Sequence, residues 1–199
     1  MSVQTRGRLL NAAKKVFSER GYHNAQISHI IDEAGVARGT FYLYFKSKEE
    51  IFKELLEEVV AELKERIKVI DLSQDPKEQV IENIASVIEF ALEERELARI
   101  VLLRNSDPEL FSLINEFFEE VIQIIRGSLD KGVALGLLRE CDTELLARAV
   151  VGAIKEVIVG LLEREDIDTY GVAREILEFG TRGVWNLKGG ESHGGPSAL

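Results

Sequence analysis

Apolar residues recur at three- and four-residue spacing along nearly the whole of this 199-residue chain, and its only prolines are Pro76, Pro108 and Pro196. That period belongs to a helix buried along one face, whereas strands alternate every second residue. No alternation persists beyond a few residues, and no Asn-Gly or Asp-Gly hairpin signal occurs. The chain is therefore expected to be all-α, with about nine helices. The first is expected over Thr5–Arg20, with Leu9, Leu10, Ala13, Val16 and Phe17 inward and Gly21 just past its end. Two short helices follow, Ile27–Ala34 and Arg38–Tyr44, joined at Gly35 and burying Ile30, Ile31, Phe41 and Tyr44. Ser47 and Glu50 form a capping-box pair that opens a long helix over Lys48–Ile70. Further helices are expected over Lys77–Leu92, with Val80, Ile84, Val87, Ile88 and Ala91 inward, and then through Arg104. Asp107 and Pro108 start one that runs to Leu135, Thr143 caps one through Glu165, and Asp168 or Thr169 begins one ending near Leu187. Residues 189–199 are Gly-rich and apolar-poor, the pattern of a flexible tail.

The remaining composition narrows the function classes. A lone Cys141 excludes an intramolecular disulfide and favours a reducing, cytoplasmic setting. Cations interrupt the apolar positions near the N-terminus as a secretory signal does not allow, and no uncharged run approaches the roughly 20 residues of a membrane span. No membrane partner is expected. His23, His29 and His193 are scattered, and no GxSxG, P-loop or GxGxxG occurs, so neither an enzyme, a metal nor a cofactor is expected.

The net charge of −10 argues at first against nucleic acid. Its distribution argues otherwise. Residues 1–48 hold eight cations (Arg6, Arg8, Lys14, Lys15, Arg20, Arg38, Lys46, Lys48) against Glu19, Asp32 and Glu33, a net +5, while the remainder carries −15. A basic head on an acidic body fits a chain with two tasks, one of them meeting a polyanion. Within that head, three helices with the last two joined at a glycine describe a helix-turn-helix. In a DNA-binding version the final short helix enters the major groove. It would present Arg38, Gly39, Thr40, Tyr42, Leu43 and Tyr44, with Lys48 placed for a phosphate in the next helix. Arginine can fork onto guanine, glycine allows close backbone approach, and hydroxyls reach phosphate oxygens.

Residues 8–55 resemble the N-terminal domain of TetR-family transcriptional regulators. The likeness lies in LLNAAKKVFSERGY, in ISHIIDEAGVARGTFYLYF, and in KSKEEIF, with GTFYLYFKSKEE its most specific part. The resemblance implies a DNA-binding domain over 3–63 with the helix-turn-helix at about 26–45, an effector-binding and dimerisation domain over 64–188, and a tail over 189–199. It implies DNA contacts from Arg38, Gly39, Thr40, Tyr42, Tyr44 and Lys48. Ala25 or Gln26 stands where the family often has threonine, Ser28 where it has a basic residue and Ala37 where it has serine, which bears on affinity and operator sequence rather than on fold. It also implies a dimeric repressor that binds a palindromic double-stranded operator and is released by a small effector. A helical adaptor without an effector is the alternative, although an adaptor has no need of Arg38, Thr40, Tyr42 and Lys48 together.

The acidic body supports part of this. Val150, Ile154, Val157 and Leu161, with Ile176, Phe179, Gly183 and Val184 in the last helix, are expected to pair with a second copy in a four-helix homodimer interface. Phe90, Leu103, Phe111, Phe118 and Ile122, with Arg104 and Asn115 as polar anchors, are expected to line an apolar cavity for a hydrophobic effector.

Overall fold

A computed structural model describes residues 3–103 and 108–182. Among these, all regular structure is helical: α1 Val3–Asn24, α2 Ile27–Ala34, α3 Arg38–Tyr42, α4 Lys48–Arg66, α5 Pro76–Glu93, α6 Arg95–Leu102, α7 Pro108–Ala134, α8 Thr143–Leu161 and α9 Thr169–Arg182. Arg104, Asn105, Asp107, Gly183, Val184, Trp185 and the 189–199 tail lie outside the described residues.

Local signals set most boundaries. Gly21 takes φ 71° and ψ 160°, which breaks α1 where its end was expected, and one further turn follows to Asn24. A positive φ costs little only at glycine. Gly35 takes φ 61° and ψ 42°; its N–H bonds the Asp32 carbonyl at 3.2 Å, and the Val36 N–H bonds that of Ile31 at 3.2 Å. This is a Schellman closure of α2. Arg8 reinforces it by donating to the Ala34 carbonyl and, at 3.3 Å, to that of Gly35. Arg8→Met keeps the stem and removes these donors. It is expected to lower stability by about 1 kcal/mol, read as a shift of the urea midpoint.

α3 ends at Tyr42 rather than Tyr44 and α6 at Leu102 rather than Arg104, and three further ends differ from expectation. α4 stops at Arg66, not Ile70, because the Asn83 side chain takes both peptide groups of Lys68, accepting from its N–H at 3.0 Å and donating to its carbonyl at 2.9 Å. Asp142, not Thr143, caps α8, accepting from the Leu145 N–H at 3.0 Å, while the Thr143 hydroxyl donates to Asp130 at 2.6 Å. α8 ends at Leu161 rather than Glu165, with Arg95 and Arg99 both donating to the Leu162 carbonyl. In α5 the buried stripe is Ile81, Ala85 and Ile88, displaced by one position from much of the expected one, because Ile81 and Ala85 cluster with Ala173 of α9 and Ile88 with Ala98 of α6 and Ile158 of α8.

The head is built around Phe17, Tyr22 and Phe52, whose ring centroids lie 4.9–5.5 Å apart. That core continues into Leu97 and Val101 of α6 and Leu110, Ile114 and Phe117 of α7. A second core joins Ile88, Ala98, Ile158, Leu161 and Leu162. Ile154, Val157 and Ile176 pack against this second core and Leu161 lies within it, so these expected dimer residues serve the protomer's own interior. The cause is that α5 and α6 occupy that side of α8. Val150 is half-buried. The outward face of α8 carries Leu145, Ala149, Gly152, Ala153 and Gly160, and α9 exposes Phe179 (65%) and Gly180.

Candidate nucleic-acid interface

α3 is anchored from below and open above. Phe41 and Phe45 are buried with centroids 5.9 Å apart, and Phe41 holds the Tyr42 ring edge-on at 5.4 Å. Five residues make α3 too short to stand alone, so this burial supplies its stability. The outer surface shows Ala37, Arg38, Gly39, Tyr42 (45% exposed) and Leu43 (67% exposed), with Thr40 half-buried. The Arg38 guanidinium lies 5.9 Å from the centroid of the Tyr42 ring, which gives this flexible cation a preferred position.

Gly39 is informative because the fold does not require it. A Cβ built there meets no atom of this chain within 4 Å, and its φ is not left-handed. A bare helical position with open space suits close approach by something outside the chain. Gly39→Ala is expected to raise the melting temperature slightly, since alanine gains about 0.8–1.0 kcal/mol of helix propensity at most. The same change is expected to weaken duplex binding at least tenfold by inserting a methyl between α3 and the groove. A melt and an anisotropy titration on one sample check both halves.

Two expected contacts sit differently. Tyr44 is half-buried against the head core, so it supports α3 more than it faces outward. Lys48 donates to the Tyr22 carbonyl at 2.9 Å and stands 4.2 Å from the Tyr22 ring centroid, closing the kinked end of α1. Beside it, burial pushes the Glu49 carboxyl up. Its own backbone amide, the Ser47 and Tyr22 hydroxyls and Lys48 pull the other way, and the net position is below the usual carboxylate value. Gln26 and Ser28 are exposed at the start of α2, Gln26 as its N-cap. The Ser28 hydroxyl bonds the Gln26 side chain at 3.4 Å, and the Gln26 N–H donates to His29 Nδ1 at 3.2 Å.

The charge of the head is also used internally. Arg6 pairs with Glu54, Lys14 with Glu94, and Lys15 with Glu33 at 2.7 Å. With Arg8 and Lys48 on carbonyls, five of its eight cations brace the fold. The bracing roles of Arg8 and His29 were missed by sequence reasoning. His29 had a legible signal, since it stands three residues after the N-cap, where a capping-box partner belongs. Arg8 had none, its carbonyl partners lying 26 and 27 residues away.

In the body, the expected effector residues divide. Ile122 is buried, and Phe90 and Phe118 are half-buried, Phe118 beneath the Lys155 ammonium at 4.7 Å. Leu103, Phe111 (59% exposed) and Asn115 face outward. The reason is register: Leu110, Ile114 and Phe117 form the inward stripe of α7, and Phe111 and Asn115 fall one position off it. Two open concavities lie elsewhere, beside the 164–169 connection. One is lined by Glu89, Leu92, Arg95 and Ile167, and the other by Val157, Leu161, Val172 and Ile176. No group of three or more His, Cys, Asp or Glu among the described residues is placed to hold a metal ion. No helix among them is long and apolar enough to cross a membrane.

Comparison with known proteins agrees with this architecture. Residues 9–55 match the profile described as bacterial regulatory proteins, tetR family, and residues 73–159 match that of a tetracyclin repressor-like C-terminal domain. The chain is 34% identical over 188 residues to the fatty acid metabolism regulator protein of Bacillus subtilis, covering 89% of this chain and 94% of that one. Among solved structures, the transcriptional regulator FadR from Bacillus subtilis in complex with stearoyl-CoA superposes with a TM-score of 0.75 at 31% identity, over 90% of this chain and 99% of that one. The fatty acid degradation regulator FadR from Bacillus halodurans gives 0.77 at 26% identity, over 90% and 95%. An all-helical chain whose helix-turn-helix and body both match in this way belongs to the TetR family of transcriptional regulators, a class without enzymatic activity.

Proposed function

We propose that this chain is a cytoplasmic homodimeric repressor of a fatty-acid-related operon. It binds a palindromic operator through α3 in the major groove and is released by a long-chain acyl thioester of coenzyme A. The observation that carries the DNA reading is the open face of α3, where Arg38, Tyr42 and Leu43 flank a glycine that nothing within the chain requires. We assign 3–63 to the DNA-binding head and 64–188 to the effector and dimer body, with α4 running through the boundary between them.

The dimer reading rests on the outward face of α8 and α9. Built Cβ atoms at Gly152, Gly160 and Gly180 meet nothing within 4 Å, so small residues there leave room for the helices of a second copy. A two-fold pair of heads would present two α3 helices about 34–36 Å apart, one duplex turn. The effector reading rests on the likeness to a FadR structure solved in complex with stearoyl-CoA and on apolar side chains that pack against the core without full burial, among them Val87, Phe90, Leu113, Phe118 and Val121. An acyl chain inserted along them would gain roughly 0.8 kcal/mol per buried methylene.

The test is an operator selected from a random duplex pool and titrated by fluorescence anisotropy. Affinity is expected to fall steeply as salt rises, and stearoyl-CoA is expected to weaken it by about 5–150-fold, the usual coupling of 1–3 kcal/mol. A flat salt dependence would remove the DNA assignment, and binding indifferent to stearoyl-CoA would remove the effector assignment.

A further inference from the structure

Lys155 is a half-buried cation in α8 whose neighbour is a ring rather than an oxygen. Its ammonium stands 4.7 Å from the centroid of Phe118 on α7, and it forms no hydrogen bond or ion pair among the described residues. The other half-buried cations there are Lys14, Lys48, Arg66, Arg95 and Arg99, and each reaches a carboxylate or a carbonyl. An ammonium has three donors, and a ring face attracts the charge without accepting as an oxygen does. Glu119, beside Phe118 in the sequence, is committed elsewhere, since it takes two nitrogens of Arg148 at 2.7 and 2.8 Å. Glu156, beside Lys155, is exposed.

The position of Lys155 is set by where α7 and α8 part. A polar clasp holds the two helices together at one end. Thr143 donates to Asp130 at 2.6 Å, Arg126 pairs with Glu144 at 3.1 Å, and Arg148 pairs with Glu119. Past this clasp the helices serve different cores. Leu110, Ile114 and Phe117 of α7 join the core shared with the head, while Ile158 and Leu161 of α8 join the one shared with α5 and α6. Phe118 and Lys155 stand at the parting. Asn115 and Phe111, one and two turns before Phe118 on α7, are exposed beyond it.

We propose that Lys155 binds the anionic head of the effector, a phosphate or carboxylate oxygen, while the acyl chain lies against Phe118. This role rests on the body being a receptor for a long-chain acyl compound, since Phe118 belongs to the apolar row assigned to that chain. Residues 49–199 carry a net −15, which repels an anion. A head group therefore needs a cation whose charge no neighbouring carboxylate cancels, at the edge of an apolar wall where screening is weak. Arg148 and Arg126 fail that condition, and Lys155 meets it. A lysine also has the flexible stem to swing from ring face to ligand oxygen.

The test titrates the full chain with stearoyl-CoA, with stearate, and with the stearoyl thioester of N-acetylcysteamine, whose head is uncharged. Lys155→Met keeps an unbranched stem over Phe118 and removes the charge, Lys155→Arg keeps the charge, and Lys155→Gln replaces the methionine variant if a thermal melt shows that it unfolds. Lys155→Met is expected to weaken stearoyl-CoA by at least about tenfold and to leave the neutral thioester within about twofold, with Lys155→Arg near wild type. A matching loss for stearate makes any anionic head the ligand group, and a loss for stearoyl-CoA alone makes it the coenzyme A phosphates. Unchanged binding of both anionic probes overturns the role of Lys155 and leaves the effector reading intact. Equal weakening of all three probes also overturns it, because a damaged apolar wall would act that way. If wild type binds stearate but not stearoyl-CoA, the coenzyme A assignment falls and the stearate arm decides Lys155. Wild type that binds none of the three ends both.

Discussion

Replacing Arg38 and Tyr42 together by alanine is expected to abolish specific duplex binding, by at least 100-fold, while the chain stays folded. Both side chains are exposed on α3, and neither fills the core that anchors it. Alanine is the best helix former, so α3 itself is not weakened by the change. The structural loss is confined to the edge contact between Phe41 and Tyr42 and to the Arg38–Tyr42 contact, together about 1 kcal/mol. The binding loss is larger. A bidentate arginine contact discriminates by about 1–3 kcal/mol, and a lost hydroxyl–phosphate bond adds to it in each half-site of the proposed dimer. The measurement pairs a thermal melt with an anisotropy titration against the selected operator. Near wild-type affinity would place the interface away from α3.

Phe52→Ala should act in the opposite way, on stability first. Phe52 is 0% exposed and meets Phe17 edge-on at 5.5 Å and Tyr22 at 4.9 Å. Removing a buried phenyl ring costs about 3–5 kcal/mol, against a total of roughly 5–15 kcal/mol for a typical domain. The neighbours cannot close the gap easily. Phe17 is itself fully buried, and Tyr22 is held through its carbonyl by Lys48. Because one core runs from the head into α6 and α7, the whole chain is expected to lose stability in one transition. Urea unfolding followed by circular dichroism tests this. A loss below about 1 kcal/mol would contradict the packing described.

The head was largely legible before its structure because its signals are short-range. Gly35 marked the turn between α2 and α3, Ser47 and Gly21 marked helix ends, and the apolar spacing of Leu9 to Phe17 and Ile51 to Leu63 placed the core. One detail escaped. Glu50 does reach back as a capping-box acid does, but to the Lys46 N–H rather than to that of Ser47. The body was less legible. Its helices carry apolar residues on more than one face, so period alone left several registers open. Leu161 reads as well for an interface as for a core, and Phe111 as well for a cavity as for a surface.

By itself the sequence determined the helical class, most caps and turns, and the family pattern of the head, because a cap or a left-handed glycine is settled by residues within one turn of it. The tertiary structure decided what lies between distant segments. It turned Lys48 onto Tyr22 and Lys14 onto Glu94, ended α4 at Arg66 by placing Asn83 on Lys68, and set the inward stripe of α7. Each of those outcomes depends on partners 15 to 80 residues away or on which helices share a face. Local spacing holds no record of either, since burial is chosen by all the helices at once.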